Sequence, residues 1–319
     1  MREITISPIT TDETIRPEIT TGRTAGSFFC DVLIENGLAP QDGDVLVASS
    51  KVVSFFEGGL IRLEDVRPSR KARILGRAFG RDPKKLQVLM ETGKVFLVIP
   101  MGGFLRISSL RQMLIDRTPN EKAMLAGYGG INRFTFLVRT HAAYLDEAGI
   151  DHTNSPEGLI SVLPRDPCAT ARAIRAELRE RFGVDVAIII TDTVTCIGRV
   201  GSQDVAIGYA GIDPTTRQTF SDDLFGVPRS GGIDIVIDSI AGMAGLVMGQ
   251  TTERTPAALV RGVDYAPERE KDAGRGMDVL AYPPDAVWRA AVRVILATAR
   301  FRLVNLLTFQ RWPKRTRSV

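Results

Sequence analysis

The apolar run Val186-Ala187-Ile188-Ile189-Ile190 leads directly into the polar triplet Thr191-Asp192-Thr193. A segment apolar at every position reads as a strand buried on both faces, and polar residues at its carboxyl end emerge where open α/β sheets place ligands. Gly43-Asp44-Val45-Leu46-Val47-Ala48 repeats the pattern as turn and buried strand, with Ser49-Ser50-Lys51 as its polar end. Ahead of the first strand, Asp166 and Pro167 open a helix on which Ile174, Leu178 and Phe182 recur every four residues before Gly183 ends it. A second helix is expected from Ile235 to Met248, with Ala241, Gly242 and Gly245 forming a smooth packing face and Gly249 at its end.

Residues 67–82 place Ala72, Leu75 and Phe79 at helical spacing among Arg67, Arg70, Lys71, Arg73, Arg77 and Arg81; a solvated basic face fits this better than a phosphate patch. From Ala266 to Gly276 the chain lacks large apolar residues and reads as a surface loop, dividing a catalytic unit of 1–265 from a C-terminal segment of 266–319. That segment carries a helix opening at Pro284-Asp285, expected to dock on its own protein, and a basic tail from Arg311 to Arg317. The pattern as a whole implies an α/β (α+β) protein of mixed sheets with flanking helices.

Composition narrows the function classes. With 319 residues, 44% hydrophobic, 24% charged and a net charge of +4, the chain has material for a full core and too mild a basic excess to argue for nucleic acid. Three scattered cysteines, Cys30, Cys168 and Cys196, suit a reducing compartment and hence a cytoplasmic address. No apolar signal core opens the chain, and no run approaches the roughly 20 apolar residues of a membrane span, so no membrane partner is expected. No P-loop motif is present, no Gly-x-Gly-x-x-Gly follows a candidate strand, and the two histidines, His141 and His152, argue against a histidine-rich zinc centre. His152 reads as a polar loop residue available for proton transfer.

Asp151 and Asp192 are oxygen donors of the kind that hold Mg²⁺ or Mn²⁺. Taken alone, Asp192 reads equally well as a turn former.

Five segments occur together in order: Gly149-Ile150-Asp151-His152-Thr153-Asn154-Ser155-Pro156-Glu157-Gly158; Thr191-Asp192-Thr193; Arg199-Val200-Gly201 with Asp204 to Gly208 behind it; Asp223-Leu224-Phe225-Gly226; and Leu246 to Gln250. In this the chain resembles the coenzyme F(420):γ-glutamyl ligases over most of residues 5 to 265. The resemblance implies that family's fold, and also a homodimer, which sequence periodicity does not show. It implies GTP- and metal-dependent addition of L-glutamate to a carboxylate of a small-molecule cofactor precursor through an acyl phosphate. It assigns Asp151, Asp192, Thr193 and Gln250 to Mg²⁺ or Mn²⁺, and includes a monovalent cation such as K⁺. Nucleotide contacts carried over by motif position are Pro8, Ile9, Thr10, Ser50, Lys51, Asn154, Leu246, Val247, Met248, Gly249, Gln250 and Thr251. Lys51 and Arg199 are left to hold the remaining anionic groups in catalysis.

Two departures from the family's pattern bear on activity. Where its members continue the early strand as Ser-Lys-Ala-Glu-Gly, this chain has Ser54-Phe55-Phe56-Glu57-Gly58, so an aromatic ring stands in place of a cation. Where they prefer Gly-Arg-Pro after Thr-Asp-Thr, this chain has Val194-Thr195-Cys196-Ile197-Gly198. A changed acceptor is one consequence. A metal-dependent phosphoester hydrolase and a non-catalytic nucleotide-binding protein are the other readings.

Overall fold

The computed structural model describes residues 3–14, 20, 22–130, 133–196, 199–216, 220–231, 233–272, 274–281 and 283–307. The chain divides into Met1–Val279 and Leu280–Val319. In the first unit the order is β1 (Thr5–Ile9), α1 (Ala25–Glu35), β2 (Val45–Ser49), α2 (Ser50–Phe56), β3 (Leu60–Arg62), α3 (Arg70–Phe79), α4 (Pro83–Thr92) and β4 (Lys94–Ile99). Three short helices follow, α5 (Met101–Phe104), α6 (Ser108–Ile115) and α7 (Glu121–Gly129). Then come β5 (Thr135–Thr140), β6 (Ala143–Asp146), β7 (Leu159–Ser161), α8 (Pro167–Phe182), β8 (Ala187–Thr195), β9 (Ser202–Ala210), α9 (Val236–Met248) and β10 (Ala257–Arg261). The second unit contains α10 (Pro284–Leu307).

The main sheet has the order β1-β10-β2-β8-β9, with β2 and β8 parallel and the other neighbours antiparallel. Leu46, Ala48, Ile188 and Ile190 join Phe28, Phe29 and Leu33 of α1 and Ile174 and Leu178 of α8 in one core. The alternate residues Val45, Val47, Ala187 and Ile189 are equally buried, and α9 packs on the sheet through Ile237, Ile240, Ala241 and Ala244. Cover on both faces explains why these strands are apolar throughout. The remaining strands form a β4-β5-β6 sheet, cored by Phe136 and Val138 against Leu86 and Leu89 of α4, and a β3-β7 pair.

The local stop signals act as expected on α8: Asp166 accepts from the Ala169 N–H at 2.9 Å, and Gly183 takes the left-handed conformation at φ 72°. Around residues 67–82 the outcome is different. Ser69 caps α3 and Gly80 ends it, so Arg81 lies beyond the helix and its guanidinium pairs with Glu147 instead of facing water. The stretch after Ala266 is also more than a surface loop. It makes two short 3₁₀ turns, buries Asp272 and Met277, and receives a 3.2 Å hydrogen bond from the Tyr209 hydroxyl at the Gly276 carbonyl. The first unit thus continues to Val279, and this segment supplies the acceptor for the buried Tyr209 hydroxyl. The tail 311–317 lies outside the described residues.

Candidate active-site cleft

Polar residues become accessible where β2 leaves the sheet. β8 pairs with β2 only as far as Thr191, opposite Ser49; beyond that it continues to Thr195 with β9 as its paired neighbour, after a bulge between Ile190 and Thr191. Thr191-Asp192-Thr193 is thus internal to a strand, and Ser50-Lys51 forms the first turn of α2. Both differ from the strand ends expected from hydropathy, since apolar runs mark where burial stops and backbone pairing continues past that point.

These segments line a cleft of about 1350 Å³ together with the 151–157 loop and the turn that follows α9. Lys51 donates to Asp151 at 2.5 Å and to the Thr153 carbonyl at 2.7 Å, while Thr153 donates to Asp151 through its N–H at 2.8 Å and its hydroxyl at 2.5 Å. Burial pushes the Asp151 carboxyl up, but Lys51 and Thr153 hold it below its ordinary value. A two-residue bridge to Ser161 fixes the backbone of Asp151.

Asp192 is placed differently. Ser50 donates to its Oδ1 at 3.2 Å, while its Oδ2 is buried without a hydrogen-bond partner. Burial pushes this carboxyl up to about 7, against the bonds from the Thr193 N–H and the Ser50 hydroxyl and the charge of Lys51; Asp204 adds to the rise. Thr193 Oγ1 lies 2.8 Å from Asp204 Oδ1 and 3.1 Å from Gln250 Oε1, and Gln250 Nε2 donates to the same Asp204 oxygen at 2.9 Å. Across the cleft Asn154, at φ 49°, donates to the Thr251 carbonyl at 3.0 Å, tying the 151–157 loop to the turn after α9.

Of the other residues singled out in the sequence, Ser50, Lys51, Asn154, Met248, Gly249, Gln250 and Thr251 line the cleft. Pro8, Ile9 and Thr10 do not: Pro8 and Ile9 are paired in β1, Ile9 is fully buried, and Thr10 bonds Asn36. Thr11, Glu13 and Thr14 line it in their place. Leu246 and Val247 belong to α9 away from the cleft, with Leu246 84% exposed. Arg199 is exposed and contributes nothing to the lining, and neither does His152. Phe55 is a lining residue and only 5% exposed, so the aromatic departure falls inside the cleft. In the second departure Thr195 lines it and donates to Asp146, while Ile197 and Gly198 lie outside the described residues.

Sequence reasoning missed Asp146, Asp204 and Glu253 as lining residues. The resembling segments include Asp204, but nothing local distinguishes it from any acidic strand residue. Three basic and eight acidic side chains line the cleft among the described residues, so its lining is predominantly acidic. No group of three or more His, Cys, Asp or Glu side chains gathers closely enough to hold a metal ion among those residues. No helix among them is long and apolar enough to cross a membrane.

A family model described as F420-0:Gamma-glutamyl ligase matches residues 15–262. Curated proteins named coenzyme F420:L-glutamate ligase are similar over most of the chain. The one from Methanopyrus kandleri is 30% identical over 89% of this chain and 97% of its own length; that from Methanosarcina mazei is 31% identical over 83% and 91%. The Archaeoglobus fulgidus protein is 32% identical over 74% and 82%. With the matched region spanning four of the five strands of the main sheet, the 151–157 loop and the turn after α9, the chain belongs to the F420-0:gamma-glutamyl ligase family.

Proposed function

We propose that this chain forms an amide between a carboxylate of a coenzyme F420 precursor and the amino group of L-glutamate, with GTP as co-substrate and Mg²⁺ or Mn²⁺ as cofactor. A monovalent cation such as K⁺ and a homodimeric assembly belong to the same reading. The observation that carries it is the meeting of Lys51, Asp151, Asp192, Thr193 and Gln250 around one cleft, from four separate stretches of a chain that belongs to this family.

The residues present fit a divalent ion. All the donors are hard oxygens, and Asp192 Oδ2 is a buried carboxyl oxygen without a hydrogen-bond partner, which a bound cation would satisfy. Asp192, Thr193, Gln250 and Asp151 would hold the ion, whose charge would screen the phosphates. Lys51 and the ion are alternative partners for Asp151, so Lys51 is available to a phosphate once Asp151 is engaged. That gives Lys51 the charge role that Phe55 cannot fill. Asn154 holds the two cleft walls in register, and the buried rings and thioethers of Phe55 and Met248 limit water near a reactive acyl phosphate. The acceptor carboxylate attacks the γ-phosphate and expels GDP, giving an acyl phosphate; the amine of glutamate then attacks the acyl carbon, loses a proton and displaces phosphate.

The acidic lining, the aromatic Phe55 and the uncharged Thr195 favour a second reading within the same chemistry: an acceptor less anionic than the family's own. Mass spectrometry of products from the purified protein, GTP, Mn²⁺, L-glutamate and a panel of cofactor precursors tests both. The expected product is an acceptor heavier by one glutamyl residue. Phosphate release at an equal rate without glutamate would replace the ligase with a hydrolase.

A further inference from the structure

We infer that Asp204 is a positioning residue that turns the oxygens of Thr193 and Gln250 toward a divalent cation; this rests on the metal-dependent reading above. Asp204 stands opposite Thr193 in the β8–β9 ladder, and one of its oxygens, Oδ1, lies within hydrogen-bond distance of both the Thr193 hydroxyl, 2.8 Å, and the Gln250 amide nitrogen, 2.9 Å. An ionised carboxylate only accepts, so the Gln250 group facing it is the NH₂ and the Thr193 proton is drawn to it in preference to the more distant amide oxygen.

The consequence is a pair of lone-pair oxygens side by side. Thr193 Oγ1 and Gln250 Oε1 lie 3.1 Å apart, and with the hydroxyl proton on Asp204 no hydrogen lies between them. Two acceptors at that separation repel each other unless a cation binds both. Adjacent ligands on an octahedral Mg²⁺ at 2.0–2.1 Å are about 2.9 Å apart by geometry, close to the separation of this pair. Asp204 thus converts two groups that would bond each other into a bidentate edge.

The second Asp204 oxygen is accommodated by α9. A Cβ built on Gly245 would lie 2.0 Å from Oδ2, so that helix position is open only without a side chain. The carboxylate is therefore set by backbone packing of α9 on β9 and by its two donors, an outer-shell arrangement of the kind that orients metal ligands.

Mn²⁺ binding to the purified full chain, followed by electron paramagnetic resonance and calorimetry without acceptor, tests the inference. Asp204→Ala should weaken Mn²⁺ at least tenfold. Asp204→Asn keeps a carbonyl oxygen for the same two donors and should stay within about threefold of wild type, rescue that a purely electrostatic role does not allow. Gly245→Ala should weaken Mn²⁺ as Asp204→Ala does, with the fold retained by circular dichroism. Unchanged affinity in Asp204→Ala, or equal loss in Asp204→Asn, overturns the orienting role while leaving the ligase reading in place. A wild type that binds no Mn²⁺ overturns both.

Discussion

Lys51 and Asp151, 100 positions apart in sequence, meet at 2.5 Å, so the first turn of α2 is joined to the 151–157 loop by the cleft's own charged groups. Both side chains keep partial exposure, 24% and 37%, and the pair is worth no more than about 1 kcal/mol to stability after solvent screening.

Lys51→Ala is therefore expected to alter turnover far more than melting. Glutamylation should fall on the order of 10²-fold in kcat/KM, with a stability change under about 1 kcal/mol. Because the Asp151 carboxyl is held below its ordinary value, its contribution is present above the unfolded carboxylate value of about 3.9 and is lost as pH falls through the lower folded value. The small difference in stability between wild type and variant should close in that acid range. Denaturant titrations across pH, beside steady-state kinetics, measure both.

Asp192 has the opposite sign. Its folded value, about 7, lies above the unfolded one, so its contribution to stability is fully present below about pH 4 and is lost as pH rises toward 7. Asp192→Asn should melt higher than wild type at pH 8 in chelator, and the two should converge near pH 4. Added Mn²⁺ should stabilise wild type and leave the variant unmoved. Scanning calorimetry showing no convergence on acidification would contradict the burial assigned to this carboxyl.

Phe55→Lys places an amine where a ring is 5% exposed. The variant should lose about 1–3 kcal/mol of stability from poorly satisfied burial, yet bind GTP more tightly, because its ammonium can reach the acidic cleft that Phe55 lines. Thermal melts and calorimetry with GTP separate the two effects; weaker nucleotide binding would show that the ring itself is needed.

Gly208→Ala tests the scaffold instead of the cleft. A Cβ there would lie 2.4 Å from Pro167 Cβ and 2.6 Å from the Pro167 carbonyl carbon, where β9 meets the start of α8. Because backbone cannot step aside as a flexible side chain can, a loss of about 2–3 kcal/mol is expected, read from denaturant midpoints.

The chain's local chemistry was enough to define the helix Pro167–Phe182, since its cap, apolar repeat and terminal glycine act within one element, and to mark Val45–Ser49 and 186–190 as doubly covered strand. It also singled out Asp151, Asp192, Thr193 and Gln250, and the fold brings all four to the lining of one cleft. What it did not contain was the extent of pairing past the apolar runs: β8 goes on to Thr195 because β9 satisfies its backbone, and Lys51 enters a helix because β2 has lost its place in the sheet. The same limit explains Pro8, Ile9, Arg199 and Asp204. Whether a polar or charged residue reaches the cleft depends on which strand lies beside it and how closely a helix such as α9 can approach, and those are relations between distant stretches of chain that hydropathy along one stretch does not encode.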